Sequence, residues 1–126
     1  MTNKATLERA GYEGLECRLP GNRGLDGVFV KYGPQGEVKD IILLESKYAA
    51  KGRARLPKNS EGYQQMSDKW IDQQIALMSE HDHLKATVKL IKDNIPLVRR
   101  KVNVMDSAGK NRWHKLKPPA TSIYKE

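Results

Sequence analysis

The stretch Val38-Lys39-Asp40-Ile41-Ile42-Leu43-Leu44-Glu45-Ser46-Lys47-Tyr48 decides the fold. Its four consecutive aliphatic residues, Ile41 to Leu44, point alternately to both faces of any strand they form, so both faces must be covered. Such a strand is central to its sheet. Just before it, Gly33-Pro34-Gln35-Gly36 is a strong turn signal, and residues 25–32 form a second apolar run. The two runs therefore read as a hairpin. Centring it on Pro34-Gln35 pairs residues whose numbers sum to about 69, which sets Asp26 opposite Leu43. Glu45 and Lys47 lie two and four positions beyond Leu43 and so share its face. A register error of one residue would separate them from Asp26, because alternate residues switch faces.

Working outward, residues 3–11 read as a short helix with Thr2 or Asn3 as N-cap and Gly11 as stop. Leu15-Glu16-Cys17-Arg18-Leu19 alternates as a weak strand ended by Pro20-Gly21-Asn22. On the other side, Lys51, Arg53, Arg55 and Lys58 surround Gly52 and Pro57 in a basic loop. Helical spacing predicts a long helix over 61–80, with Met66, Trp70, Ile71 and Ile75 on its apolar half, and a second helix over 83–94 stopped by Pro96. Val98, Arg100, Val102 and Val104 alternate as a further strand, paired with 111–117 across Ser107-Ala108-Gly109. Residues 118–126 read as a loose tail. The expected fold is one mixed α/β (α+β) domain over 1–126, with a central sheet flanked by helices.

The 126 residues are 38% hydrophobic and 30% charged, enough apolar content for a core. No apolar run approaches the roughly 20 residues that span a bilayer, so no stable membrane association is expected. The start, Met1-Thr2-Asn3-Lys4, has no apolar run behind it and does not read as a signal peptide. The single cysteine, Cys17, excludes an internal disulfide and a Cys-rich zinc module, and reads as a small core residue. A net charge of +8 favours a polyanionic partner.

Two carboxylates held together on strands repel, and a hard divalent cation with oxygen ligands relieves them. Asp26 and Glu45 are those carboxylates, and the Ser46 carbonyl is a further oxygen ligand. Lys47 beside them can orient or deprotonate an attacking water and offset charge on phosphorus. These are the parts of a phosphodiester hydrolase. His81 and His83 diverge on a helix and read as solvent-exposed, and His114 has no acid partner in sequence.

Gly24-Leu25-Asp26-Gly27-Val28, a hairpin, and Ile42-Leu43-Leu44-Glu45-Ser46-Lys47 together resemble the PD-(D/E)xK nuclease superfamily, with its Asp on the second core strand and Glu-x-Lys on the third. The superfamily's restriction-endonuclease-like core order, α-β-β-β-α-β, matches the reading over residues 3–106. Gly24 to Ile75, including Gln64-Gln65-Met66-Ser67-Asp68-Lys69-Trp70-Ile71, is similar to C-terminal nuclease toxin domains of bacterial contact-dependent inhibition and polymorphic toxin proteins.

The resemblance implies a metal-dependent endonuclease, using Mg²⁺, Mn²⁺ or Zn²⁺, that cleaves DNA or tRNA. It implies a third acid from the first helix, for which Glu8 is the choice and Glu13 and Glu16 the alternatives. Lys51, Arg53, Arg55, Lys58 and Gln65 would contact nucleic acid. It further implies export within a larger cell-surface protein, action in the cytoplasm of the target bacterium, and an acidic immunity protein as partner. Two other readings stand beside it: a Holliday-junction resolvase or restriction-type enzyme, and a non-catalytic nucleic-acid-binding protein.

Overall fold

In a computed structural model the described residues are 3–21, 23–51, 62 and 65–115. They form a mixed α+β unit of five strands and three helices. In chain order these are α1 (Asn3–Arg9), β1 (Glu13–Leu15), β2 (Gly27–Tyr32), β3 (Val38–Tyr48), α2 (Asp68–Met78), α3 (Lys85–Asp93), β4 (Val98–Met105) and β5 (Asn111–Lys115). The strands lie side by side in the order β1-β2-β3-β4-β5. All neighbours are antiparallel except β3 and β4, whose parallel pairing is made by the crossover carrying α2 and α3.

β3 sits in the middle, as its sequence requires. Ile41, Ile42 and Leu43 are fully buried and Leu44 nearly so. On one face Ile41 and Leu43 join Val28 and Val30 beneath Trp70, Ile71 and Ile75 of α2 and Val88 and Ile91 of α3. On the other, Ile42 and Leu44 join Phe29 and are covered by Leu7 of α1. Each such side chain contributes about 2 kcal/mol by leaving water, so this strand anchors both layers.

Beyond the second core, Asp40 is gripped by Arg99 of β4, whose Nε donates to Oδ1 at 2.8 Å, and Tyr12 donates to the same carboxylate. Arg99 also donates to the Tyr12 hydroxyl at 3.1 Å. Three separate segments are tied together there.

The boundaries of β3 agree with those read from the sequence, and β4 and β5 pair across the expected turn. Three features differ. The hairpin register runs two residues further along: Gly27 faces Leu44 and Val28 faces Leu43, with a bulge between Lys31 and Tyr32. The turn centres on Gln35, Tyr32 facing Val38, and the bulge adds the second residue of shift.

The first strand is Glu13–Leu15 rather than 15–19. Cys17 and Leu19 are buried, but Leu19 pairs only with Arg23, folding the segment back on itself. The predicted 61–80 helix begins at Asp68. Ser67 caps it, its hydroxyl accepting from the Trp70 amide at 3.3 Å, and Met66 before it has φ of +66°. That left-handed backbone cannot continue a helix. Its carbonyl accepts from the buried Arg100 at 2.7 Å. The residues before 65 in that helix, apart from 62, and the tail 118–126 lie outside the described residues.

Burial alone would raise the Asp40 carboxyl; the hydrogen bonds from Arg99 and Tyr12 outweigh it and hold the carboxyl below its ordinary value. An acid whose folded pKa is depressed stabilises the fold above its unfolded pKa and loses that contribution as pH falls. Asp40→Asn is therefore expected to lower stability by about 1–3 kcal/mol at neutral pH. In urea unfolding, the gap between wild type and variant should close on acidification below the ordinary carboxylate range.

Candidate active site

Glu45 is the first charged residue after the apolar run of β3, and it is only 4% exposed. It points to the α2/α3 face, with Leu43 before it and Lys47 after it. The Lys47 ammonium lies 3.9 Å from Glu45 Oε1. Asp26 sits one residue before β2, and its amide donates to the Leu44 carbonyl at 3.1 Å. Extended by that residue, the observed register sets Asp26 opposite Glu45 rather than Leu43. A shift of two residues equals the period of the pleat, so the shared face survives the change of partner. Asp26, Glu45 and Lys47 therefore come together.

Asp26 is locked from two sides. Its Oδ2 accepts from the Ser46 amide at 2.7 Å and its Oδ1 accepts from Arg18 Nη1 at 2.9 Å. Arg18 is held by the Leu25 carbonyl at 2.8 Å and the Gly24 carbonyl at 3.2 Å. Gly24 has φ of +90°, which turns the chain so that these carbonyls can meet the guanidinium.

Sequence reasoning missed Arg18. The alternation of residues 15–19 made it the outward residue of a strand, and no local signal marked the fold-back that aims it at Asp26.

Burial above all, then a hydrogen bond to Asp26 and that carboxylate's charge, push the Glu45 carboxyl up to about 8 against the opposing charges of Lys47 and Arg18. Its Oε2 has no hydrogen-bond partner among the described residues. A buried oxygen without a donor, beside a second carboxylate, fits a hard divalent cation. Asp26 and Glu45 would hold it, with the Ser46 carbonyl in reach of the same strand end.

No third acid completes the set: among the described residues no group of three His, Cys, Asp or Glu side chains is placed to hold a metal. Glu8 stands exposed on α1, which seats Leu7 on the sheet face opposite to Glu45. Glu13 is exposed at the sheet edge. Glu16 lines a cavity of about 460 Å³ together with Asp26, Arg18, Ser46 and Asn3.

Of the residues assigned to nucleic acid, Lys51 is exposed just past β3, and Gln65 is half-buried in the turn before α2 with Oε1 unpartnered. Arg53, Arg55 and Lys58 lie outside the described residues. Cys17 is buried, and burial pushes its thiol up to about 11, which disfavours the thiolate. Comparison with family models, with curated proteins and with solved structures finds no match to the chain.

An acid whose folded pKa is raised keeps its proton in the folded state after the unfolded chain has lost it, so stability falls as pH rises. For Glu45 the window runs from its ordinary 4.5 to about 8. In the presence of chelator, the unfolding free energy should decline across that window by up to about 1.4 kcal/mol per pH unit. Glu45→Gln should remove this decline; a variant with the wild-type slope would assign the titration to another group.

Proposed function

We propose that this chain is a metal-dependent nuclease of the PD-(D/E)xK type, hydrolysing phosphodiester bonds of DNA or tRNA. One observation carries the reading: the central strand delivers a buried Glu45 with an unpartnered oxygen beside Asp26 and Lys47. Charged groups at such a position are costly unless they are used. The succession α1, β1, β2, β3, the α2/α3 pair and β4 follows the order expected of that superfamily with one helix added, and the net charge of +8 gives a polyanion reason to approach.

When bound, a hard divalent cation such as Mg²⁺, Mn²⁺ or Zn²⁺ would activate a water and offset charge on the phosphodiester. Asp26 supplies a carboxylate already fixed in orientation, which removes the entropy of ordering it. Glu45 gives up the proton it holds near neutral pH, so cation affinity rises with pH through that titration. The Lys47 ammonium, 3.9 Å from Glu45, would orient the attacking water and donate to a phosphoryl oxygen. Arg18 keeps Asp26 aimed.

The resemblance to contact-dependent inhibition toxins supplies the biological setting of the proposal. The domain would travel at the end of a larger exported protein, act in the cytoplasm of the target bacterium, and be silenced at home by an acidic immunity protein. Among the described residues no helix is long and apolar enough to cross a membrane.

Incubation with plasmid DNA and with total tRNA, each with Mg²⁺, Mn²⁺, Zn²⁺ or EDTA, tests the reading and separates the two substrates. Cleavage should require the cation, and Glu45→Gln should abolish it while the fold persists. Lys47→Ala should slow cleavage by roughly 10²–10⁴-fold with cation affinity retained in calorimetry. Near-normal cleavage by the Glu45 variant at saturating metal would overturn the site.

A further inference from the structure

Asp26 borders a cavity of about 460 Å³ that the carboxylate chemistry does not itself require. The cavity lies between the first turn of α1 and the strands β1 and β2, and runs up to Ser46 near the end of β3. Its volume falls within the roughly 300–1,000 Å³ of small-molecule sites. Phe29 and Leu44, 5% and 2% exposed, give it an apolar wall. Lys4, Glu16 and Arg18 stand around it, the first two exposed and the third half-buried. An apolar wall with a few convergent polar groups, bordering a reactive side chain, has the form of a ligand site.

Gly14 of β1 leaves this wall bare without a packing reason. It pairs with Phe29 and so shares that residue's face. Its φ is not positive, and a Cβ there would stand 3.4 Å from the Phe29 ring and 4.0 Å from the Lys4 stem, both ordinary contacts. Gly27 differs, since a Cβ there would stand 2.5 Å from the same ring. A glycine inside a strand weakens it and often marks a close approach to the backbone. At Gly27 the approaching group is Phe29. At Gly14 the space left open belongs to the cavity.

The charges around the cavity balance. Arg18 is paired with Asp26 at 2.9 Å, and Lys4 and Glu16 are a second cation and a second acid. Such a lining does not gather bare anions; it suits a group that carries donors and acceptors of its own. We infer that the cavity seats one nucleoside of a nucleic-acid substrate, the one attached to the phosphate at Asp26. Its ring lies against the apolar wall and its polar edge meets Lys4 and Glu16. Bases offer acceptors to an ammonium, and adenine, guanine and cytosine offer an amino group to a carboxylate. The phosphate stays at the Asp26 end, where Arg18 and a bound cation offset its charge. The inference deepens the nuclease reading and rests on it for the identity of the ligand.

Binding can be measured apart from cleavage. The full chain is titrated in calorimetry with adenosine 3′- and 5′-monophosphate, with their deoxy counterparts and with inorganic phosphate, each with Mg²⁺. A nucleotide should bind about tenfold or more tightly than inorganic phosphate, since only the nucleotide fills the cavity. The tighter of the ribo and deoxy forms tells RNA from DNA. Gly14→Leu, whose side chain would take up the space, should weaken nucleotide binding by roughly tenfold or more and leave inorganic phosphate unchanged. Lys4→Ala and Glu16→Ala, at exposed positions, should each weaken nucleotide binding roughly 2- to 12-fold, the loss of one hydrogen bond. In cleavage, Gly14→Leu should raise KM more than it lowers kcat.

Unchanged nucleotide affinity in a folded Gly14→Leu chain overturns the nucleoside site, as does inorganic phosphate bound as tightly as nucleotide. Should Gly14→Leu fail to fold, unchanged affinity in both Lys4→Ala and Glu16→Ala overturns it equally. Cleavage by wild type with KM unmoved by Gly14→Leu defeats the nucleoside site alone. Nucleotide binding that Gly14→Leu abolishes, without any cleavage of plasmid or tRNA, defeats the nuclease reading alone.

Discussion

The burial of β3 on both faces is the constraint from which the architecture follows. A strand with Ile41, Ile42, Leu43 and Leu44 in succession cannot lie at the edge of a sheet or face water on either side. It must have a strand on each flank and a helical layer above and below. β2 and β4 supply the flanks, and α1 and the α2/α3 pair supply the layers. The parallel pairing of β3 with β4 follows from the same need, because a crossover long enough to join parallel strands is also long enough to carry the covering helices.

The same constraint explains the chemistry at the end of the strand. Where the aliphatic run stops, Glu45 is still inside the protein, and the desolvation that stabilises its neighbours works against its charge. Asp26 adds a second negative centre, and Lys47 with Arg18 compensates in part. The balance holds the Glu45 carboxyl above its ordinary value. A polar cluster of this kind is unfavourable as pure structure, since an aliphatic residue would fill the position without unpartnered oxygens.

The two faces of the sheet divide the labour. The face under α2 and α3 holds the larger core and the carboxylates, and the Arg100 contact with Met66 closes it by fixing the turn into α2. The face under α1 holds the smaller core and the Tyr12, Asp40 and Arg99 cluster, then opens past Ser46. Because α1 is only seven residues long, it cannot cover the whole width of a five-stranded sheet. Tyr48, Met105 and Trp113, which are exposed, lie on this face further along.

Much of this was legible in the sequence because it depends on neighbours along the chain. The bounds of β3, its central place, the β4–β5 hairpin and the common face of Asp26, Glu45 and Lys47 all follow from two-residue alternation and turn composition. That common face survived a register error only because the bulge and the turn shifted it by two residues rather than one. Other features depend on contacts between distant segments, which no periodicity records. The start of α2 at Asp68 reflects the left-handed Met66 held by Arg100 of β4. Arg18 reaches Asp26 only because the chain folds back between Leu19 and Arg23, and Glu8 faces away because Leu7 seats α1 on the far side of the sheet. The sequence by itself determined which strand must be buried and which charges must sit together at its end, since both are consequences of alternation. Only the tertiary structure decided which further groups surround those charges, since that depends on how separate segments pack around the sheet.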